Sequence, residues 1–188
     1  MSNYHDNLNN MMCLDIFLTS LNLKECQNFE DKIVSNQKEG NHLLSYDISS
    51  MGFVKMKEQI GDKILLEKLA HKFAWQADLQ QILCNEFEAL VLTDVEKQIL
   101  WVNKGFERMT SYKSCEAVGK KSNFLQGKNT EESTRNYFRE KLKEGNPFDL
   151  SITNYRKNGE EYLCKVHIFP LQNTENKITH FLALEHEI

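Results

Sequence analysis

The sequence has few of the features that separate domains along a chain. Its 188 residues include only two prolines, Pro147 and Pro170, and both lie in the second half. It contains no proline-rich linker, low-complexity tract or internal repeat. With 40% hydrophobic residues, a chain of this length can build one substantial core together with an appended segment. We therefore expect one core-forming domain with an extension.

Long hydrophobic runs and blocks of like charge are also missing. No apolar stretch approaches the roughly 18 residues that a membrane-spanning helix needs, and the polar, asparagine-rich first ten residues do not resemble a signal peptide. The net charge is −4, from 23 basic and 27 acidic residues, and no run of basic residues forms a phosphate-binding stripe. These features predict a cytoplasmic protein that binds neither membranes nor nucleic acid directly.

The cysteines and the common catalytic motifs indicate neither a metal site nor an enzyme. The cysteines are odd in number and widely spaced, without a C-x-x-C pair, which predicts reduced and mostly buried thiols. The sequence also lacks G-x-S-x-G, a P-loop, H-E-x-x-H and G-x-G-x-x-G. We therefore expect no catalysis and no metal. The five cysteines are Cys13, Cys26, Cys84, Cys115 and Cys164.

The first 85 residues have a helical pattern. Apolar residues between Met12 and Leu23 recur at helical spacing, and residues 37–41 then interrupt the pattern with a glycine. A longer apolar face recurs between Ile64 and Leu83, with Asp62 as its predicted N-cap and an end near residue 85. We predict a helical N-terminal extension over residues 1–85. Its apolar face packs either on the protein's own sheet or against a second subunit, and the role of residues 1–60 stays open.

From residue 86 onward the pattern becomes that of a mixed domain. Two β-rich runs joined by a turn at 95–97 predict a hairpin, and short helical pieces follow. Residues 130–145 predict a helix, with acidic residues in its first turn, Gly145 at its end, and Tyr137, Phe138 and Leu142 facing inward. Three more strands complete an α+β fold, a five-stranded antiparallel sheet with short helices on one face. The last three predicted strands span residues 148–156, 161–171 and 179–187.

Three segments of this second region carry a family resemblance. They read VLTDVEKQILWVNKGFERMTSY, GKKSNFLQG and ITNYRKNGEEY. The order of elements and these segments resemble the light-oxygen-voltage (LOV) branch of the PAS domains. The resemblance implies a PAS fold over residues 86–188 and a sensory role.

The segment that resembles the LOV flavin helix departs from the family at its reactive residue. The family signature is Gly-x-Asn-Cys-Arg-Phe-Leu-Gln, and residues 119–126 read Gly-Lys-Lys-Ser-Asn-Phe-Leu-Gln. Ser122 therefore stands where the family has its photoreactive cysteine. A serine hydroxyl has a much higher pKa than a thiol and does not readily supply the nucleophile of the cysteinyl-flavin adduct. We expect no such adduct.

The remaining flavin contacts that the resemblance implies are partly kept. Gln126 matches a ribityl-contacting glutamine, Arg139 a phosphate-contacting arginine and Asn154 a ring-edge asparagine. Asn123 replaces a second phosphate arginine, for which Lys121 offers partial compensation. Cys164 replaces a second ring-edge asparagine and Glu185 the family's switching glutamine. Each lost hydrogen bond would cost about 1 to 3 kcal/mol. The candidate cofactor-binding residues are Asn103, Ser122, Leu125, Gln126, Arg139, Asn154, Cys164 and Glu185.

The resemblance and the residues leave two functions open. The first is a non-enzymatic sensory and signal-transduction module that acts through protein–protein interaction, as a homodimer or with a separate signalling protein. We expect no output domain after Glu187 and therefore expect the signal to pass through the N-terminal helices. The alternative is an FMN-binding blue-light or redox sensor that works by flavin reduction. Trp101 is an electron donor to the flavin under this alternative, and a packing or dimer-surface residue under the first function.

Overall fold

A computed structural model describes residues 43–188, with side chains from residue 52 onward except that of Phe53. The helix predicted between Met12 and Leu23 and the loop at 37–41 lie outside the described residues. The chain divides into two compact units, Met1–Gly61 and Asp62–Ile188, and the second contains the sheet. No helix among the described residues has the length and apolar character needed to cross a membrane.

The N-terminal helix differs from its prediction at both ends. Helix α1 runs from Leu43 to Phe73, so Asp62 lies inside it and does not cap it. The helix ends where Ala74 takes a positive φ of 52°, and the Gln76 amide then donates to the Gln172 carbonyl at 3.0 Å. The prediction of one continuous helix to residue 85 is therefore wrong.

A separate short helix follows this break. Helix α2 spans Leu79–Leu83, and the Asp78 carboxylate caps it by accepting from the Gln81 amide at 3.1 Å. An aspartate in this position satisfies an amide that a helix leaves unpaired in its first turn. Asp78 thus has the capping role that the sequence had suggested for Asp62.

The remaining elements confirm the predicted α+β fold. The five strands form one antiparallel sheet in the order β2-β1-β5-β4-β3. The helices of this part lie between β2 and β3 in the chain and gather on one face of the sheet. The elements are β1 (Ala89–Asp94), β2 (Ile99–Val102), α3 (Lys104–Thr110), α4 (Ser114–Ala117), a 3₁₀ helix (Ser122–Leu125), α5 (Glu132–Glu144), β3 (Phe148–Tyr155), β4 (Glu161–Gln172) and β5 (Ile178–Glu187).

The sheet separates two hydrophobic cores, because side chains alternate between its faces. On β5, Phe181 and Ala183 belong to the inner core that α3 and α5 cover. Leu182 and Leu184 belong to the outer core. Neighbouring residues of one central strand therefore line opposite sides of the sheet.

The outer core contains the C-terminal part of α1. Leu66 is fully buried there, and Leu69 and Phe73 pack around it together with Trp101 of β2. The apolar face of this helix was predicted to pack either on the protein's own sheet or against a second subunit. In the structure it packs on the protein's own sheet. Trp101 likewise lies in the outer core.

The two edges of the sheet are partly occupied by the chain itself. Along β2, the Ile99 amide donates to the Lys120 carbonyl and its carbonyl accepts from the Gly119 amide, each at 2.8 Å. Along β3, residue Asn154 forms a β-bridge with Gln126. The loop and the 3₁₀ helix between α4 and α5 therefore connect to both edges.

One prediction about individual side chains is wrong, and the described cysteines do not follow the prediction of mostly buried thiols; Cys13 and Cys26 lie outside the described residues. Tyr137 is 45% exposed, although Leu142 on the same helix is buried as predicted. Of the described cysteines, Cys84 and Cys115 are exposed and only Cys164 is buried. Cys84 caps the C-terminus of the five-residue α2 and Cys115 lies in the four-residue α4. Such short helices bury few of their side chains.

Candidate ligand-binding site

A cavity lies between the inner face of the sheet and the helices that cover it. It encloses about 60 Å³ that the centre of a water molecule can occupy, and about 610 Å³ between its walls when the open mouth is included. The enclosed volume is smaller than the roughly 300 to 1,000 Å³ of ligand pockets, and the larger figure includes open solvent at the mouth. Its apolar walls are Val91, Leu125, Phe138, Leu142, Ile152, Val166, Ile168, Phe181 and Ala183.

Polar side chains enter this cavity from four elements. Thr93 comes from β1, Asn154 from β3 and Glu185 from β5, while the 3₁₀ helix supplies Ser122 and, at its C-cap, Gln126. The β-bridge between Gln126 and Asn154 joins two of these segments. The Ser122 amide donates to the Lys97 carbonyl at 2.9 Å, which joins the 3₁₀ helix to the β1–β2 turn. An apolar cavity with a few convergent polar groups is typical of small-molecule sites.

The wall of the cavity includes a buried carboxyl group. Glu185 Oε2 is buried and has no hydrogen-bond partner among the described residues. Burial raises the pKa of Glu185 to about 7, because a low-dielectric environment disfavours the charged form. A buried polar atom without a partner requires a physical explanation, and a bound ligand would supply one.

Two further ionisable groups lie near this carboxyl on β4. Burial raises the pKa values of the Tyr162 hydroxyl and the Cys164 thiol, and the negative charge of Glu185 raises both further. Both groups are therefore neutral at ordinary pH, and Cys164 has no thiolate character. A neutral, buried thiol is a packing group rather than a reactive one.

The mouth of the cavity is cationic. It opens into a cleft of about 180 Å³ by the same measure, and Lys97, Ser122, Gln126 and Phe138 line both spaces. Of the nine described residues that line the cleft, only Glu96 is acidic. The cations of this cleft are Lys97, Lys121, Arg135 and Arg139.

The two arginines of the cleft differ in how they are held. The Arg135 guanidinium donates from Nη2 to the Gly127 carbonyl at 2.8 Å, and its Nε is buried without a partner. Arg139 is more exposed, and its Nη1 lies 2.8 Å from Asn136 Oδ1 and 3.3 Å from Glu132 Oε1. The cleft therefore offers an anionic group one guanidinium bonded to a backbone carbonyl and one bonded to exposed side chains of its own helix.

The structure brings most of the predicted site residues together. Ser122, Leu125, Gln126, Asn154 and Glu185 line the inner cavity, and Arg139 lines the cleft at its mouth. Cys164 points to the same side of the sheet but is fully buried in the inner core and does not line either space.

Asn103 lies apart from the predicted site. It precedes α3, where its Oδ1 accepts from the Phe106 amide at 3.0 Å and from the Leu90 amide at 2.9 Å. Its Nδ2 donates to Asp62 Oδ2 at 3.0 Å. The side-chain amide of Asn103 thus connects α3, β1 and α1, and it lines neither cavity.

The sequence analysis missed two of the four cations of the cleft. Lys97 lies in the β1–β2 turn with a positive φ of 68°, and the fold alone places it beside the 3₁₀ helix. Arg135 precedes Arg139 by one helical turn, so it lies on the same face of α5. The four-residue spacing between the two arginines could have revealed Arg135 from the sequence. No sequence signal placed Lys97 beside the 3₁₀ helix.

Comparison with known proteins identifies the fold family. The family model for the PAS domain matches residues 88–188, which make up more than half of the chain. The chain belongs to the PAS domain family. Its five-stranded sheet and the inner cavity lie within the matched region, and helix α1 precedes it.

Two relatives of this PAS domain are blue-light-responsive proteins. The chain is 28% identical over 93 residues to a blue-light-activated histidine kinase of Brucella canis, covering 50% of this chain and 19% of the kinase. It is 30% identical over 102 residues to a blue-light photoreceptor of Listeria innocua, covering 53% of this chain and 40% of that protein. The chain thus matches only a minor part of each relative, and it carries a PAS/LOV-type sensory domain.

A solved structure has the same architecture. The LOV domain of the Erythrobacter litoralis EL346 blue-light-activated histidine kinase aligns with a TM-score of 0.52 and 25% identity, over 55% of this chain and 97% of that domain. Almost the whole of that domain therefore corresponds to part of the present chain.

Proposed function

We propose that residues 86–188 act as a non-enzymatic sensory module that transmits the state of its inner cavity to helix α1 and from there to a protein partner. The observation that carries this proposal is the position of residues 62–73 of α1 on the outer face of the strands that line the cavity. Ala183 and Glu185 of β5 face the cavity, while Leu182 and Leu184 contact the outer core. A change in the cavity that shifts β5 would alter the surface on which α1 packs.

Hydrogen exchange tests this coupling. The variant Ala183→Val adds volume at the cavity wall, and we expect it to change the exchange rates of the backbone amides of residues 62–73 on the opposite face. The matched control is Ser151→Val, because Ser151 is an exposed residue of the edge strand β3. Unchanged exchange in α1, in a variant whose cavity amides do change, would contradict the proposal.

The proposed partner is a second copy of the chain or a separate signalling protein. The α1 residues Leu66, Leu69 and Phe73 already pack on the sheet of their own chain. A second copy would therefore bind another surface or displace this helix. Sedimentation decides between these partners: a species of twice 22.0 kDa supports the homodimer, and a monomer directs the search to other proteins.

The second candidate function is an FMN-binding blue-light or redox sensor. The residues fit this cofactor in three respects: the apolar walls suit a planar ring, the Asn154 and Glu185 side chains offer hydrogen bonds to a polar ring edge, and the cationic cleft suits a phosphate. A bound flavin would supply absorption of blue light and the capacity to accept electrons. Ser122 would contact it without forming a covalent bond.

Absorption spectroscopy tests the flavin candidate. Purified protein, before and after incubation with FMN and removal of the unbound fraction, should show a structured blue absorption band that does not bleach to an adduct in light. The variant Ser122→Cys restores the thiol at the same position and should make this band bleach in light and recover in the dark. A protein that stays colourless after incubation contradicts the flavin function. The protein-interaction module is then the remaining proposed function.

A further inference from the structure

The buried carboxyl group of Glu185 has a position that suits recognition of a ligand. Glu185 projects from β5 between Ala89 of β1 and Val166 of β4, and its side chain lines the inner cavity. Its Oε2 is buried without a partner. A cavity whose wall includes a buried, unpaired polar atom is completed by a group that hydrogen-bonds to that atom.

We propose that Glu185 recognises the ligand of the inner cavity in its neutral form, and that ligand affinity therefore depends on pH. The neutral carboxylic acid presents one O–H donor and one C=O acceptor side by side. The matching ligand is a planar heteroaromatic ring with an acceptor and a donor on adjacent atoms of one edge, and with an anionic tail for the cationic cleft. This inference rests on the proposed flavin function, whose cofactor belongs to this class.

The surroundings of Glu185 support the neutral form. The described residues place no cation in ion-pair contact with it, and burial raises its pKa to about 7. The nearest ionisable groups on β4 have pKa values raised by burial, so they stay neutral over the range in which Glu185 titrates. The charged and ionisable groups around Glu185 are Tyr162 and Cys164 of β4, Glu88 before β1, Lys97 of the β1–β2 turn, and Glu187 of β5 with its ion-pair partner Arg156.

Ligand affinity should decrease as the pH rises. The neutral acid donates to a ring acceptor, whereas the ionised acid loses this donor and repels the acceptor. Affinity is therefore highest below the pKa of the carboxyl group. Above it, affinity falls by about tenfold for each pH unit, because one proton must bind before the ligand does.

A titration with FMN as the probe tests this inference on the full chain. We expect the affinity, measured by quenching of flavin fluorescence, to fall with increasing pH between about pH 6 and about pH 9. The variant Glu185→Gln keeps a donor and an acceptor without a titrating proton, so its affinity should match that of the wild type at low pH and stay constant. The control Glu187→Gln changes an exposed acid on the same strand and should keep the wild-type pH dependence.

The outcomes separate this inference from the function on which it rests. Wild-type binding that is independent of pH, or a pH dependence that persists in Glu185→Gln, overturns the role of Glu185 and leaves the flavin function intact. Absence of FMN binding at every pH overturns both. An infrared spectrum of the ligand-free protein gives a readout that does not depend on binding: a buried carboxylic acid band should disappear on alkalinisation in the wild type and be missing in Glu185→Gln. Its absence from the wild type at low pH also overturns the inference.

Discussion

The indole nitrogen of Trp75 lies 3.3 Å from Nδ1 of His180, buried between the end of α1 and strand β5. The same indole nitrogen lies 3.0 Å from Thr179 Oγ1. The Phe73 ring packs against both aromatic rings, with centroids 5.7 Å from Trp75 and 4.3 Å from His180. This cluster attaches the segment between α1 and α2 to the sheet.

The first prediction follows from the buried imidazole. Burial lowers the pKa of His180, so the folded state favours the neutral ring that accepts from Trp75. The unfolded chain then binds a proton at higher pH than the folded protein does, and stability is lost as the pH falls below about 6.5. The variant His180→Phe should lose less stability between neutral and mildly acidic pH than the wild type. Thermal unfolding of both proteins across this pH range measures the two losses of stability.

The control for this prediction is the exposed histidine of α1. His71→Gln removes an imidazole outside the buried cluster, and this variant should show the same acid-induced loss of stability as the wild type. If His180→Phe and the wild type lose stability equally on acidification, His180 does not carry the effect.

The second prediction concerns the effect of Glu185 on stability. This residue should make the protein less stable as the pH rises, whereas His180 makes it less stable as the pH falls. The folded state holds the proton of this carboxyl group with a pKa of about 7, compared with 4.5 for the unperturbed group. The contribution of Glu185 to stability is present at low pH and is lost as the pH rises toward 7, by about 3 kcal/mol in total. Glu185→Gln should be more stable than the wild type by this order at alkaline pH. Urea unfolding at acidic and alkaline pH, with Glu187→Gln as control, measures the difference.

The third prediction concerns Asn103. Replacement by alanine leaves the buried amides of Leu90 and Phe106 without their acceptor and removes the hydrogen bond to Asp62. We expect Asn103→Ala to destabilise the domain by about 2 to 4 kcal/mol. Asn103→Asp keeps the acceptor but places a second carboxylate beside Asp62, so it should be destabilised less and should recover with added salt. Equal stability of wild type and Asn103→Ala would contradict this structural role.

The fourth prediction concerns two glycines in helices. A Cβ on Gly105 of α3 would overlap the Glu88 carbonyl oxygen, whereas a Cβ on Gly61 of α1 would meet nothing within 4 Å. Gly105→Ala therefore forces α3 away from the chain before β1, and we expect a loss of several kcal/mol or failure to fold. Gly61→Ala should instead stabilise the protein by about 0.5 to 1 kcal/mol. Chemical unfolding of the two variants provides the comparison.

The sequence predicted the sheet better than the N-terminal helix. Period-two alternation, the turn residues and the terminal Gly145 each reflect local physical preferences, and the resulting strands were confirmed. The end of α1 depends instead on a positive φ at Ala74 and on the burial of Trp75, which are imposed by packing on the sheet. Local periodicity continues through this break, so the sequence pattern could not reveal it.

The candidate site was predicted only in part, for a similar reason. The resemblance located Gln126, Asn154 and Glu185 because these positions belong to a recognisable motif or strand. Lys97 joins the site because the β1–β2 turn and the 3₁₀ helix are hydrogen-bonded to each other. Asn103 has a residue type that suits either a ligand or a helix N-cap, and only its contacts distinguish the two.

The covered edges of the sheet also bear on how the domain behaves at high concentration. Strand β2 bonds to the Gly119–Lys120 segment, and Asn154 of β3 is bridged to Gln126. Backbone groups already paired within the chain cannot template a strand from a neighbouring molecule. Along these stretches the domain is protected against edge-to-edge polymerisation, and a protein partner there must be recognised through side chains and not by strand addition.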